Sequence, residues 1–289
     1  MKTADYSKIS IIAKLTAYMR QFSDIPFASN VAKIIDAKAT IDDLLQEHNL
    51  KIESLHWYAL LFEARYKSIS SMILQEDTPQ IIELASGFSL RGLFMAHKYG
   101  ISYLETDLAD LNTGKEAILD QVCRINSISK PREYQCANLN ALDKHEFIQV
   151  SKILNQDAPV TIVSEGLLQY LSEDEIMLLL QNIHDLLAKT GGCWITPDFT
   201  VKSPYQNISP EQQTFRQIIS QYISRNMYNH TFNGDAELDK LLAWFGFAAE
   251  KFEQLELAGE LETLKHMTIP ESLLNSLVPQ MKLWRLRTV

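Results

Sequence analysis

Cysteines, basic clusters and long apolar runs are all scarce in this chain, and each shortage removes a class of protein. Three cysteines (Cys123, Cys136 and Cys193) are scattered over 289 residues, with neither a C-x-x-C pair nor a Cys/His cluster. An odd, dispersed set fits neither a disulfide framework nor a zinc site, so no metal is expected and a reducing, cytoplasmic address is. Lysine and arginine number 27 against 36 acidic residues, a formal charge of −9, and no basic run is long enough to make a stripe. Phosphate contacts dominate affinity for nucleic acid, so neither nucleic acid nor an anionic membrane surface is the expected partner. The apolar stretches fall well short of the ~18–20 residues that a membrane span needs. The opening MKTADYSKISIIAKL has a short apolar patch followed by Lys14. It lacks the hydrophobic run and cleavage site of a secretory leader. Repeats, low-complexity tracts and Gly/Pro-rich linkers are missing too, so no clean two-domain split is visible.

What is present is an ordinary apolar share, 46%, on a chain long enough for one large domain or for a domain with a smaller cap. Residues 1–75 read as a helical cap belonging to the same unit. In Ile52–Gln75 the apolar residues Leu55, Tyr58, Leu61, Phe62, Ile69, Met72 and Ile73 fall largely on one helical face. From Pro79 the texture changes, and residues 76–289 read as an α/β domain of alternating strands and helices. Strands are expected at Ile81–Leu84, Ile101–Thr106, Tyr134–Ala137, Val160–Val163 and Cys193–Thr196. Helices are expected between them, at Leu90–Lys98, Lys115–Asn126 and Glu173–Ala188. The last of these opens on Ser172 with Glu175 three residues on, the pattern of a capping box. A further helix (Glu237–Trp244) and two closing strands, near Ala249–Gln254 and at Lys282–Thr288, complete the chain. The βαβα order implies a parallel sheet with helices on both faces. Two strands after five parallel ones fit a seven-stranded methyltransferase sheet better than a six-stranded dinucleotide fold.

In doubly wound sheets ligands sit beyond the carboxyl ends of the strands. Polar and glycine residues occupy those places here. Gly87 follows the first strand, where a missing side chain lets backbone approach a ligand. Glu83 near the end of that strand is placed to accept hydrogen bonds from a cationic amino group. Asp107 ends the second strand 20 residues after Gly87, about where such folds set a carboxylate against ribose hydroxyls. Asn138 follows the third strand, beside an expected adenine, and Glu165 ends the fourth. Each alone has a bland reading as turn former, cap or solvated surface group; the joint placement on one sheet edge carries the argument. A nicotinamide enzyme would show G-x-G-x-x-G, whereas Ala85-Ser86-Gly87-Phe88-Ser89-Leu90 lacks both outer glycines.

These segments resemble the leucine carboxyl methyltransferase family, which includes bacterial O-methyltransferases linked to polyketide biosynthesis. Ile82–Arg91 (IELASGFSLR) resembles its first motif, and Tyr103–Leu108 (YLETDL) its E-x-D-L-P segment. Ser164–Ser172 (SEGLLQYLS) is close to its E-G-x-x-x-Y-L-[ST] signature, and Ala64-Arg65 matches the Ala-Arg of the preceding helix. The resemblance implies a class I, Rossmann-like methyltransferase fold with an N-terminal helical cap, using S-adenosyl-L-methionine. It further implies that Arg65 pairs with the methionyl carboxylate and Gly87 lines the methionine. Asp107 would hold the ribose, Asn138 and Leu139 frame the adenine, and Glu165 lie near the methionyl amino end. The chain departs from the pattern at Ala85, Ser89 and Asn138, where glycine, aspartate and aspartate are usual.

The implied activity is methylation of a carboxylate or hydroxyl oxygen on a small molecule, such as a polyketide-type natural product. Candidate substrate-side residues are Tyr170, Asp198, Tyr18 and Arg20, each of which also reads as ordinary packing, cap or helix surface. No two of the seven histidines form a close pair, so a histidine base is not expected. Aromatic and methionine residues around Tyr205–Tyr228 suit a helix core or part of a lid. Two other readings stay open: a protein C-terminal carboxyl methyltransferase, and a non-catalytic binding protein on a degenerate methyltransferase fold.

Overall fold

The computed structural model describes residues 10–199, 201, 210–223 and 232–289. Seven strands form one sheet, in the order β3-β2-β1-β4-β5-β7-β6. They are β1 (Gln80–Leu84), β2 (Ser102–Asp107), β3 (Tyr134–Asn138), β4 (Val160–Ser164), β5 (Gly192–Thr196), β6 (Phe247–Glu253) and β7 (Lys282–Thr288). The first five run parallel, and β7 lies antiparallel between β5 and β6. This is the seven-stranded, mostly parallel class I methyltransferase sheet that the strand count implies.

Strands covered on both faces carry apolar side chains at consecutive positions, because each face needs its own core. In β1, Ile82 joins the cluster with Ile162, Trp194 and Leu286, whereas Ile81 joins the one with Tyr103, Val163 and Ile195. The first cluster is covered by α7 (Lys144–Ser151), α8 (Glu173–Thr190) and α10 (Asp235–Trp244), through Phe147, Ile183 and Leu242. The second is covered by α4 (His56–Glu76) and α5 (Arg91–Tyr99), through Ile69, Met72 and Met95. Each such isoleucine or leucine, taken fully out of water, contributes roughly 1.5–3 kcal/mol.

Helix α4 departs from the one-sided pattern expected of it. Trp57, Leu60, Ala64, Tyr66, Ile69 and Met72 are buried on several faces, and so is Glu63. The helix runs through the interior rather than over it. On one side it packs on β4, β5 and β7; on others it meets α1 (Ser10–Arg20), α11 (Gln254–Ala258) and α12 (Thr263–His266). Glu63 is tolerated because its carboxylate accepts the backbone N–H groups of Glu262 and Thr263, at 2.8 and 2.9 Å, and pairs with Lys67. A buried charge needs such partners.

Helix α1, α2 (Ala28–Ile34), α3 (Ala37–Glu47) and the start of α4 pack together as the N-terminal helices, around Leu15, Met19, Ile41 and Leu55. The helix after β2 is α6 (Ala109–Asn126), six residues longer at its start than the spacing suggests. Asn112, buried in its first turns, is held by the carbonyls of Asp107 and Ala137. Helix α8 opens on the capping box of Ser172 and Glu175 as expected. Helices α7, α9 (Pro210–Ile223) and α13 (Glu271–Leu277) have no counterpart among the expected elements. Helix α9 falls within the aromatic stretch Tyr205–Tyr228, the flanks of which lie outside the described residues. Among the described residues no helix is long and apolar enough to cross a membrane.

Candidate active site

The strand order reverses between β1 and β4, and Leu84 pairs with Ser164 in register there. The turns that follow these strands, Ala85–Leu90 and Glu165–Leu171, therefore lie side by side. A cavity of about 180 Å³ opens over them, floored by both turns and by Asp107, Leu139 and Asn140, and roofed by helix α1 and Arg65 of α4.

The turn after β1 is built on left-handed backbone. Ala85 and Gly87 have φ of 50° and 54°. A Cβ at Gly87 would meet no protein atom within 4 Å, so its missing side chain leaves open space at the cavity floor. The turn is latched to β2. Asp107 accepts the Gly87 amide at 2.7 Å and the Leu108 amide at 2.8 Å, and the Ser86 amide bonds the Thr106 carbonyl. Burial raises the Asp107 carboxyl above its usual range against these two amide bonds.

Charges converge at the β1/β4 end. Glu165 accepts Arg20 Nη2 and Arg91 Nη2, each at 2.5 Å. Burial pushes its carboxyl up, but the Arg20, Arg91 and Arg65 guanidiniums outweigh that and hold it below the usual range. Both paired arginines lean on the Tyr66 ring, at 5.6 Å for Arg20 and 4.5 Å for Arg91. Glu83 lies one layer below, taking the Tyr103 hydroxyl at 2.6 Å with Arg91 Nε at 4.0 Å. Burial is the main reason its pKa is raised; Arg91 opposes that, and Glu105 directly opposite on β2 adds to it. Glu105 is itself neutralised by Lys115 at 2.6 Å and takes the Tyr134 hydroxyl and the Gly92 amide.

Arg65 stands apart from this network. It lines the cavity, its buried Nε has no hydrogen-bond partner, and its guanidinium makes no ion pair among the described residues. An unpaired guanidinium facing a cavity is an anion site, since its planar donors match a carboxylate fork.

A family comparison decides what kind of site this is. The model of the leucine carboxyl methyltransferase family matches residues 27–184, more than half of the chain. The chain belongs to the leucine carboxyl methyltransferase family. The enzyme class is S-adenosylmethionine-dependent methyl transfer. No curated protein matches. Among solved structures, a DUF574 family protein from Streptomyces avermitilis is similar over 96% of this chain and 96% of that one, at 9% identity and TM-score 0.56. The methyltransferase domain of bacterial CtHen1-C is similar over 79% of this chain and 98% of that one, at 9% identity and TM-score 0.50. A putative O-methyltransferase from Nostoc punctiforme matches 77% of this chain, which spans 55% of that chain's length, at 14% identity and TM-score 0.48. At such identities the likeness is one of fold.

Of the residues that the family pattern singles out, Arg65, Glu83, Gly87, Asp107, Leu139 and Glu165 all line this cavity. Asn138 does not. Its side chain is exposed and takes Asn112 Nδ2 at 3.0 Å, and the wall at that place is Leu139 and Asn140. Of the substrate-side candidates, Arg20 and Tyr170 line the cavity. Tyr18 lies in the apolar cluster of the N-terminal helices and lines no cavity found among the described residues. At 100° per residue it sits roughly opposite Thr16 and Arg20 on α1, whose face meets the site. Asp198 holds the Gly166, Leu167 and Leu168 amides at 2.7, 2.8 and 3.3 Å, and so shapes the turn after β4. Arg91, Tyr66 and Asn140 were not singled out from sequence. Arg91 stands inside the first motif, but nothing in the pattern showed that it reaches across to β4.

Proposed function

We propose that the chain is an S-adenosylmethionine-dependent O-methyltransferase acting on the carboxylate of a small molecule, with the cofactor in the cavity over β1 and β4. The unpaired Arg65 guanidinium carries this reading. It is the lining cation without a carboxylate among the described residues, so it suits the methionyl carboxylate. Gly87 would let backbone come close to the methionyl chain. Asp107, anchored by two amides, keeps lone pairs for ribose hydroxyls, and Leu139 with Asn140 would border the adenine. Glu83 retains one carboxylate oxygen near the methionyl amino group. Ala85 fits because it already holds the left-handed turn, and Ser89 accepts the Arg91 amide at 3.3 Å.

When bound, S-adenosylmethionine supplies a methyl group on sulfonium; the acceptor oxygen forms the new bond while the S–CH3 pair stays on sulfur. The protein's tasks are alignment and exclusion of water. An acceptor hydroxyl would need a base. The lining carboxylates are committed: Glu165 to two arginines, Asp107 to two amides and Asp198 to three. No histidine lines the cavity among the described residues. A carboxylate acceptor is already ionised at neutral pH and asks for no proton transfer. Calorimetric titration with S-adenosylhomocysteine, followed by labelled methyl transfer to a panel of acids and phenols, tests both halves. Absence of binding at millimolar ligand refutes the cofactor assignment, and transfer to phenols alone refutes the carboxylate.

A further inference from the structure

A second cavity, of about 100 Å³, adjoins the first and shares Arg65, Phe62 and Gln169 with it. It lies over the ends of β4 and β5, bounded by Leu168 and Asp198 and covered by α1, α4 and α9. Its wall is largely aromatic: Trp57, Tyr58, Phe62, Phe199, Phe215 and Phe232. Two buried donors break that surface. Trp57, 4% exposed, has no partner for its indole Nε1, and Arg65 has none for Nε. The Asp198 carboxylate, the acid in this wall, is filled by three backbone amides.

A buried donor with no acceptor costs about 1–3 kcal/mol. Two such donors beside one cavity are therefore matched by a ligand that brings oxygen acceptors, while the rings around them demand an apolar body. We propose that this cavity holds the methyl acceptor as a flat, apolar acid, its carboxylate taken by Trp57 Nε1 and Arg65 and its body stacked among the aromatic rings. Arg65, with five donors, faces both cavities and has N–H groups for the cofactor's carboxylate and the acceptor's. Trp57 is then a specificity-determining residue that touches acceptor only. The inference rests on the cofactor assignment above.

Phenylacetate is the probe, with phenylacetamide as its uncharged counterpart, each titrated into protein saturated with S-adenosylhomocysteine. Phenylacetate is expected to bind at least tenfold more tightly than the amide. Trp57→Phe, which keeps a ring and removes the N–H, is expected to weaken phenylacetate about tenfold and S-adenosylhomocysteine less than twofold. In a nitrogen-15 spectrum, the indole N–H signal missing from W57F is expected to shift when phenylacetate is added to the wild-type protein. That readout holds even where the variant folds poorly. Equal affinity for acid and amide, or an indole signal that stays put, overturns the inference while S-adenosylhomocysteine still binds. Failure of S-adenosylhomocysteine to bind overturns instead the cofactor assignment beneath it.

Discussion

Replacing Glu165 by glutamine keeps the shape of the side chain and removes the charge that two guanidiniums share. Arg91 is fully buried and Arg20 is 8% exposed, so neither recovers water when its carboxylate goes. Removing one partner of a buried ion pair costs about 3–5 kcal/mol. The amide oxygen of E165Q still accepts one of the two bonds, which places the expected loss near the lower end, about 3 kcal/mol. For a chain of this size that is roughly 6–12 °C in Tm. Urea denaturation of both proteins across pH 4–8 measures it. The Glu165 carboxyl is held below its ordinary value in the folded protein. A depressed folded pKa adds stability above the unfolded value, ~4.3, and loses it as pH falls through the folded one. The gap between wild type and E165Q should thus be flat from about pH 8 to pH 5 and begin to close as pH falls below the unfolded value. Because Arg20 belongs to α1 and Glu165 follows β4, the variant should also speed amide exchange along residues 10–20. A loss under about 1 kcal/mol, or a gap that widens on acidification, would refute the reasoning, since the charge would then not be what holds the two arginines.

Ala85→Gly relieves a Cβ at φ 50°, worth about 1–2 kcal/mol, against a backbone-entropy cost of about 0.5–1 kcal/mol; a small rise in the urea midpoint is expected, and a fall argues against strain. Gly92→Ala puts a Cβ 2.5 Å from Tyr103 Cδ1 and 2.9 Å from both Glu105 Oε1 and Tyr134 Cε2. Overpacking of this kind costs about 1–3 kcal/mol, so G92A should melt several degrees lower, with unchanged melting as the contrary result. Arg65→Gln removes a cation that no protein group uses, so stability should hold. S-adenosylhomocysteine affinity, read by calorimetry, should fall about 10- to 100-fold, the worth of one charged hydrogen bond.

The alternation of strands and helices, the two closing strands and the cavity-facing turns were legible in the sequence because they are local. A strand buried on both faces needs a continuous apolar run, and Ile81-Ile82 and Val160–Val163 show one. Turn residues at strand ends show themselves by type, as Gly87 and Asp107 do. The interior course of α4 was not legible: burial on several faces depends on α11 and α12, which arrive from some 200 residues away, and Glu63 reads as a surface charge until Thr263 is beside it. The same holds at the site. Sequence spacing brought Asp107, Gly87 and Glu165 to one sheet edge, but Arg20 and Arg91 meet Glu165 from separations of 145 and 74 residues. Asn138 looked like a wall residue by position, yet a hydrogen bond to Asn112 holds its side chain elsewhere. Pairings set by short-range pattern were determined by the chain alone. Which charge neutralises which, and which arginine is left over to face a ligand, was decided only when distant elements packed, because Coulomb partners are chosen by distance in space.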